Sequence, residues 1–232
     1  MFSEERRNMK LAARKSINGK VLSVFWAVIL ANIITIAISV IGGIVEGIKT
    51  SNAVSSFFSV LSFLGFLAQG FLSVGFCVYL LKLTGVGNEE TSDVFSQKRN
   101  FVNILKTRIV VTVYVFIGLI LLIVPGIIMA LKYSQTNYVL AEHPEYNYKQ
   151  AMQESARLME GCKWEFLLFN LSFILWWIAV PFTFMLLLIY LLPYVNTANT
   201  NYYRYLKYKV YKDSTTVFDP VENIPINESS VF

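Results

Sequence analysis

Charge is absent from four long stretches of this sequence. No Asp, Glu, Lys or Arg occurs in residues 21–45, 50–81, 109–131 or 166–203. Over all 232 residues only 15% are charged and 55% are hydrophobic, which excludes an ordinary soluble domain of this length. Histidine is nearly missing as well: His143 stands alone, in a predicted loop beside Pro144. There is therefore no H-E-x-x-H zinc motif, and no Gly-rich phosphate loop is present. The two cysteines, Cys77 and Cys162, are spaced neither as a metal site nor as a redox pair, so free thiols are expected. Carboxylates fall almost wholly in connectors and tails, so no pair is predicted to converge inside an apolar segment. These absences predict a protein that is not an enzyme, binds no metal and needs no cofactor. The basic residues flank lipid-length apolar runs, a distribution that suits lipid head groups and not nucleic acid.

What the chain has is apolar length. A spanning helix needs about 20 apolar residues to cross roughly 30 Å of hydrocarbon. Each of the first three runs is long enough for one crossing. The fourth, of 38 residues, would measure about 57 Å as one helix and must fold back, with Pro181 near its middle. The run from Ile109 is broken by Val124-Pro125-Gly126, and reads as two helices folded back at Pro125 and Gly126. Lys132, Gln135 and Asn137 then lie on the returning arm.

The expected fold is all-α: a polytopic transmembrane helical bundle of about six spanning helices, arranged as three hairpins with interfacial amphipathic helices. The predicted helices cover about residues 21–41, 54–83, 105–124, 126–142, 164–180 and 181–207. Residues 1–20 form a basic, modestly amphipathic flank with two readings: an ordinary positive flank that only sets topology, as such flanks routinely do, or a surface helix with Met9, Leu11, Ala12 and Ile17 resting on the membrane. The following apolar run is too long for a cleaved signal core, so a signal anchor is expected. Asn147 is the natural cap of an interfacial helix over about residues 147–160. Its stripe of Tyr148, Ala151, Met152, Ser155 and Met159 has helical spacing, and Gly161 is its stop. The polar tail, residues 213–232, is expected to be disordered.

Charge sets the predicted orientation. With six helices and both termini in the cytosol, 19 of the 20 basic residues lie on the cytosolic side and only Lys49 lies outside. That is the asymmetry the positive-inside rule requires. A weak internal repeat agrees with it. Residues 13–20, Ala-Arg-Lys-Ser-Ile-Asn-Gly-Lys, resemble residues 155–163 around Gly161 and Lys163. Val124-Pro125 and Val180-Pro181 fall at matching hairpin tips, and Thr136-Asn137-Tyr138 matches Thr200-Asn201-Tyr202 on the returning arms. The unit is a surface helix followed by a membrane hairpin.

Several of these residues also carry a family likeness. Pro125-Gly126, Lys132-Tyr133-Ser134, Tyr138-Val139-Leu140-Ala141, Met159-Glu160-Gly161, Lys163-Trp164 and Leu192-Pro193-Tyr194 together resemble the domain-of-unknown-function 975 family of bacterial integral membrane proteins. The resemblance runs from about Leu11 to Tyr205. It implies a multi-pass protein of a bacterial plasma membrane and implies no activity.

Candidate site residues come from polar groups inside the apolar segments. Lys132, Gln135, Asn137, Asn196 and Asn199 are candidates to line a ligand site or cavity. A lysine at a helix centre costs about 2.5–3.5 kcal/mol to insert, so it asks for a reason: a pathway facing the bundle interior, or snorkelling to a surface. The amides have a plainer role open to them, hydrogen bonds between helices. Two functions are compatible with this set. One is a non-enzymatic accessory or self-protection protein of the envelope that binds a peptide, lipid or membrane partner. The other is a small transporter or lipid-handling protein with a polar cavity around Lys132, Gln135 and Asn199.

Overall fold

In the computed structural model, residues 2–47, 52–85, 90–95, 101–121, 123–183 and 185–211 are described. Among them the chain is all-α, with no strand. Ten α-helices follow in order: α1 (Phe2–Ile17), α2 (Val21–Gly47), α3 (Asn52–Thr84), α4 (Phe101–Leu121), α5 (Ile123–Lys132), α6 (Thr136–Glu142), α7 (Tyr148–Leu158), α8 (Lys163–Leu171), α9 (Ile174–Ala179) and α10 (Leu188–Tyr211). Short 3-10 helices occupy Thr91–Phe95 and Pro181–Thr183. The tail over residues 213–232 lies outside the described residues, as does Lys49.

The core lies at one end of the hairpins. The C-terminal half of α3 and the C-terminal half of α10 meet there. Val74, Cys77, Tyr79 and Leu80 of α3 and Ala198, Tyr202, Tyr203 and Leu206 of α10 are all buried. Phe169, Leu140, Leu158 and Met159 close around them. The α2–α3 hairpin is joined midway by Gln69, whose Nε2 donates to Asn32 Oδ1 at 2.6 Å. Gly75 lets the Thr91–Phe95 turn lie against α3, because a Cβ at that position would fall onto the Val94 carbonyl. Gly118 and Gly126 do the same for α4 and α5: a Cβ on Gly118 would come within 2.9 Å of the Gly126 Cα.

Both surface helices are docked on protein. Met9, Ala12, Ala13 and Ile17 of α1 are buried, and only Leu11 of the four residues expected to rest on the membrane is half exposed. Asn201 of α10 donates to the Met9 carbonyl at 3.3 Å. The apolar stripe of a short helix is satisfied equally by lipid or by a neighbouring helix, and here α10 supplies it. Asn147 caps α7 in a capping box with Gln150. Ala151, Met152 and Ser155 of that helix face inward.

The arms expected over about 126–142 and 164–180 are each broken, and the arm expected from 181 begins as a helix only at Leu188. The breaks share a cause. The Ser134 hydroxyl bonds back to the Leu131 carbonyl, Thr136 to Tyr133, Ser172 to Phe169 and Thr183 to Val180, each spanning three residues. Hydroxyls that take a carbonyl from the i→i+4 ladder tighten or end the helix.

One described helix, Phe101–Ile120, is long and apolar enough to cross a membrane. Two bent pairs pass the same test together: Glu4–Ile17 with Val21–Ile33 at 96°, and Tyr148–Leu158 with Lys163–Ala179 at 80°. By length and composition the described residues thus hold one to three candidate spans, fewer than the six expected.

Candidate functional site

Lys132 ends α5 at the rim of the protein. Its carbonyl accepts a hydrogen bond from the Ser155 hydroxyl of α7 at 2.9 Å, which satisfies one of the carbonyls that every helix end leaves open. Its ammonium lies 5.5 Å from the Tyr133 ring. It borders a groove of about 400 Å³ that also has Tyr114, Tyr148, Lys149 and Gln153 on its walls. None of the other four candidates lines that groove.

Those four are scattered. Gln135, in the turn after α5, is 2% exposed; its Nε2 reaches Ser134, while Oε1 is buried without a partner. Asn137 is partly buried on α6. Asn196 donates to the Leu192 carbonyl of its own helix at 2.8 Å. Asn199 has a buried, unpartnered Oδ1. The residues expected at the tips sit just inside them. Pro125 is the third residue of α5 and Gly126 is buried against Leu119, while Pro181 opens an exposed 3-10 turn.

A second constellation was not anticipated. Tyrosines of α10 bind carboxylates at the packed end. Tyr203 donates to Glu142 at 2.7 Å, and Lys207 donates to the same carboxylate at 2.6 Å. Tyr205 reaches Glu5 at 2.9 Å, and Tyr211 donates to Glu154. Lys209 pairs with Glu165 at 3.2 Å and touches Cys162 Sγ at 3.3 Å. The Tyr211 hydroxyl is pushed up to about 12, by burial first and then by the Glu154 carboxylate beside it. Burial also raises the Cys162 thiol, with Lys209 opposing. The i, i+4 spacing of Tyr203 and Lys207 was the available signal for a shared acceptor; Glu142, 61 residues from Tyr203, was not identifiable from spacing.

This arrangement holds parts of the chain together. His143 contacts Glu145 at 3.1 Å and stacks on Tyr146, next to nothing nucleophilic. Among the described residues, no group of three His, Cys, Asp or Glu is placed to hold a metal ion.

Residues 106–209 match the family described as protein of unknown function (DUF975). The match begins in α4 and ends in α10, so it takes in the last two hairpins and the α7 helix between them. No curated protein and no solved structure matches the chain.

Proposed function

Since this chain belongs, over residues 106–209, to the DUF975 family and inherits no activity from it, we propose a role from its own geometry. It is a non-enzymatic multi-pass protein of a bacterial plasma membrane, with both termini cytosolic. It occupies the bilayer as three hairpins and engages a lipid, peptide or membrane partner.

The observation that carries this reading is where large apolar side chains are exposed. They run along all three hairpins: they include Val40 and Phe57 on the first, Ile120 and Val124 on the second, and Leu175 and Phe182 on the third, as well as Leu22, Val102 and Trp164 near the other ends. Ile120 is 71% exposed, Leu175 75% and Phe182 82%. Each such side chain forgoes about 1.5–3 kcal/mol when left in water. Large apolar side chains left bare in such number are costly in water, and hydrocarbon is the solvent that removes the cost. The packed end carries the ion pairs and the tyrosine–carboxylate bonds.

The hairpins differ in depth on this reading. Helix α2 has 27 residues, about 40 Å, and crosses fully. Helix α5 has 10, about 15 Å, which is half the hydrocarbon thickness. Helix α4 has 21 residues and is long enough to cross, but Lys106 and Arg108 leave it a charge-free part of only residues 109–121, about 20 Å. On this reading the second hairpin enters and returns on the cytosolic side, and Lys132 comes to the interface, where its ammonium snorkels to the groove beside Lys149.

The alternative, a transporter built around Lys132, Gln135 and Asn199, is disfavoured because neither Gln135 nor Asn199 lines the groove that Lys132 borders. Purified protein in liposomes tests the choice. The accessory reading expects no solute flux; flux that Lys132→Met abolishes would replace it with transport.

A further inference from the structure

Helix α1 carries a cluster of cations beside its buried apolar residues. Arg7, Lys10 and Arg14 recur at three- and four-residue steps and so share one face of the helix, with Arg6 beside them. The adjoining face, Met9, Ala13 and Ile17, is buried in the protein. The cationic face forms one wall of a groove of about 410 Å³; Ser172 and Tyr194 stand across it. Among the described residues, no carboxylate lines this groove. Glu5 faces elsewhere, bound by the Tyr205 hydroxyl at 2.9 Å. Lys10 is fixed in place: its ammonium donates to Ser172 Oγ at 2.6 Å and lies 4.2 Å from the Phe173 ring centroid. A hydroxyl and a ring orient that ammonium and leave its charge unneutralised. Burial and the neighbouring Arg6 lower its pKa, the response of a cation short of an anion.

A second groove, of about 590 Å³, continues from the first and shares Leu11 and Arg14 with it. Its remaining wall sets Ala12, Ile17, Val21 and Tyr190 beside the polar Asn8, Lys15 and Asn18, and the surface it presents is more apolar than polar. It lies at the 96° bend where α1 meets α2, and the next exposed residues up α2 are Leu22 and Trp26. A cationic groove therefore opens directly into a more apolar one at the foot of a hydrophobic helix.

We propose that these joined grooves bind one anionic phospholipid, with Arg7, Lys10 and Arg14 on its phosphodiester and an acyl chain along Leu11, Ile17, Val21 and Tyr190. The charge calls for an anion. The Tyr194 hydroxyl across the groove suits a remaining phosphate oxygen, while Ser172, whose proton goes to the Phe169 carbonyl, serves to hold Lys10. The apolar continuation selects a lipid over a free phosphate. The site rests on the membrane reading above and names the lipid class that reading leaves open.

Native mass spectrometry of detergent-purified full-length protein tests it, with phosphatidylglycerol, phosphatidylcholine and inorganic phosphate as separate probes. The expected result is one phosphatidylglycerol retained at least tenfold over phosphatidylcholine. A Lys10→Gln, Arg14→Gln variant loses that preference; Lys149→Gln, on the α7 groove, keeps it. Arg7→Gln, at an exposed position, lowers retention several-fold with unchanged helical circular dichroism, so loss of folding is not mistaken for loss of the site. Equal retention of both lipids, or undiminished phosphatidylglycerol binding by the variants, would overturn the site. Binding of inorganic phosphate that the variants lose, without lipid retention, would also overturn it by making the ligand a free anion. Alkaline carbonate extraction of the same membranes separates the two levels: release into the aqueous phase would refute the membrane reading, whereas loss of lipid preference in a protein that stays in the membrane refutes only the site.

Discussion

The Tyr211 hydroxyl shows how closely the packed end is tied together. Its proton is held by burial and by Glu154, so the folded value lies near 12 against an ordinary value near 10. A group raised in the fold contributes stability that is complete below the unfolded value and lost as pH rises through the folded one. Thermal unfolding in detergent is therefore expected to weaken between about pH 10 and 12, and to weaken less steeply in Tyr211→Phe. Equal slopes would show that Tyr211 does not hold that proton. The Gln69–Asn32 bond is the matching case within the apolar region. Gln69→Ala and Asn32→Ala are each expected to lower stability, with a coupling of about 0.6 kcal/mol and at most about 1.7 in a double-mutant cycle. Additive losses would mean the two side chains do not depend on one another. Single residues of this kind were partly legible. An amide inside a charge-free run announced a partner, but nothing in the order of residues identified Asn32 as the partner of Gln69.

At the scale of elements the glycines separate packing from conformation. Gly75 lies against the Val94 backbone, which cannot swing aside, whereas Gly42 has nothing within 4 Å of an added Cβ. Gly75→Ala should therefore cost about 1–3 kcal/mol or more by overpacking. Gly42→Ala should gain about 0.5–1 kcal/mol of helix stability. Chemical denaturation in mixed micelles measures both, and equal effects would remove the close approach of the Thr91–Phe95 turn. Gly19 and Gly161 pose the other problem. Both have φ in the left-handed region, +75° and +72°, and both join an amphipathic helix to an apolar one. They occupy matching places in the sequence repeat, and the two bends they make, 96° and 80°, are alike. Alanine at either is expected to cost about 1–2 kcal/mol through backbone strain alone. The repeat and the Asn147 cap were readable because short-range chemistry determines them. The breaks after Lys132 and Leu171 were not. Ser134, Thr136 and Ser172 look like neutral members of an apolar run until their hydroxyls are seen bonding three residues back.

Over the whole molecule, the all-α character and the apolar arms follow from composition and from the spacing of charge. The placement of polar groups does not. Lys132 looked interior because only seven residues separate it from Pro125; a 10-residue α5 ending on the Ser155 hydroxyl takes it to a rim groove instead. The cations of α1 looked like a plain topological flank, and became a candidate site only when the protein buried the adjoining face of their helix and set Ser172 and Tyr194 across from them. The central claim is that three hairpins enter a bilayer from the cytosolic side, the first crossing it and the second turning back within it. Single cysteines at positions 49, 124 and 149, introduced with Cys77→Ala and Cys162→Ala, test it with a membrane-impermeant thiol reagent on intact cells and on inverted vesicles. The account predicts labelling of Lys49→Cys only from outside, of Lys149→Cys only from inside, and of Val124→Cys from neither. Labelling of Val124→Cys from outside would make the second hairpin a full crossing, and labelling of Lys49→Cys and Lys149→Cys from the same side would contradict the membrane arrangement altogether.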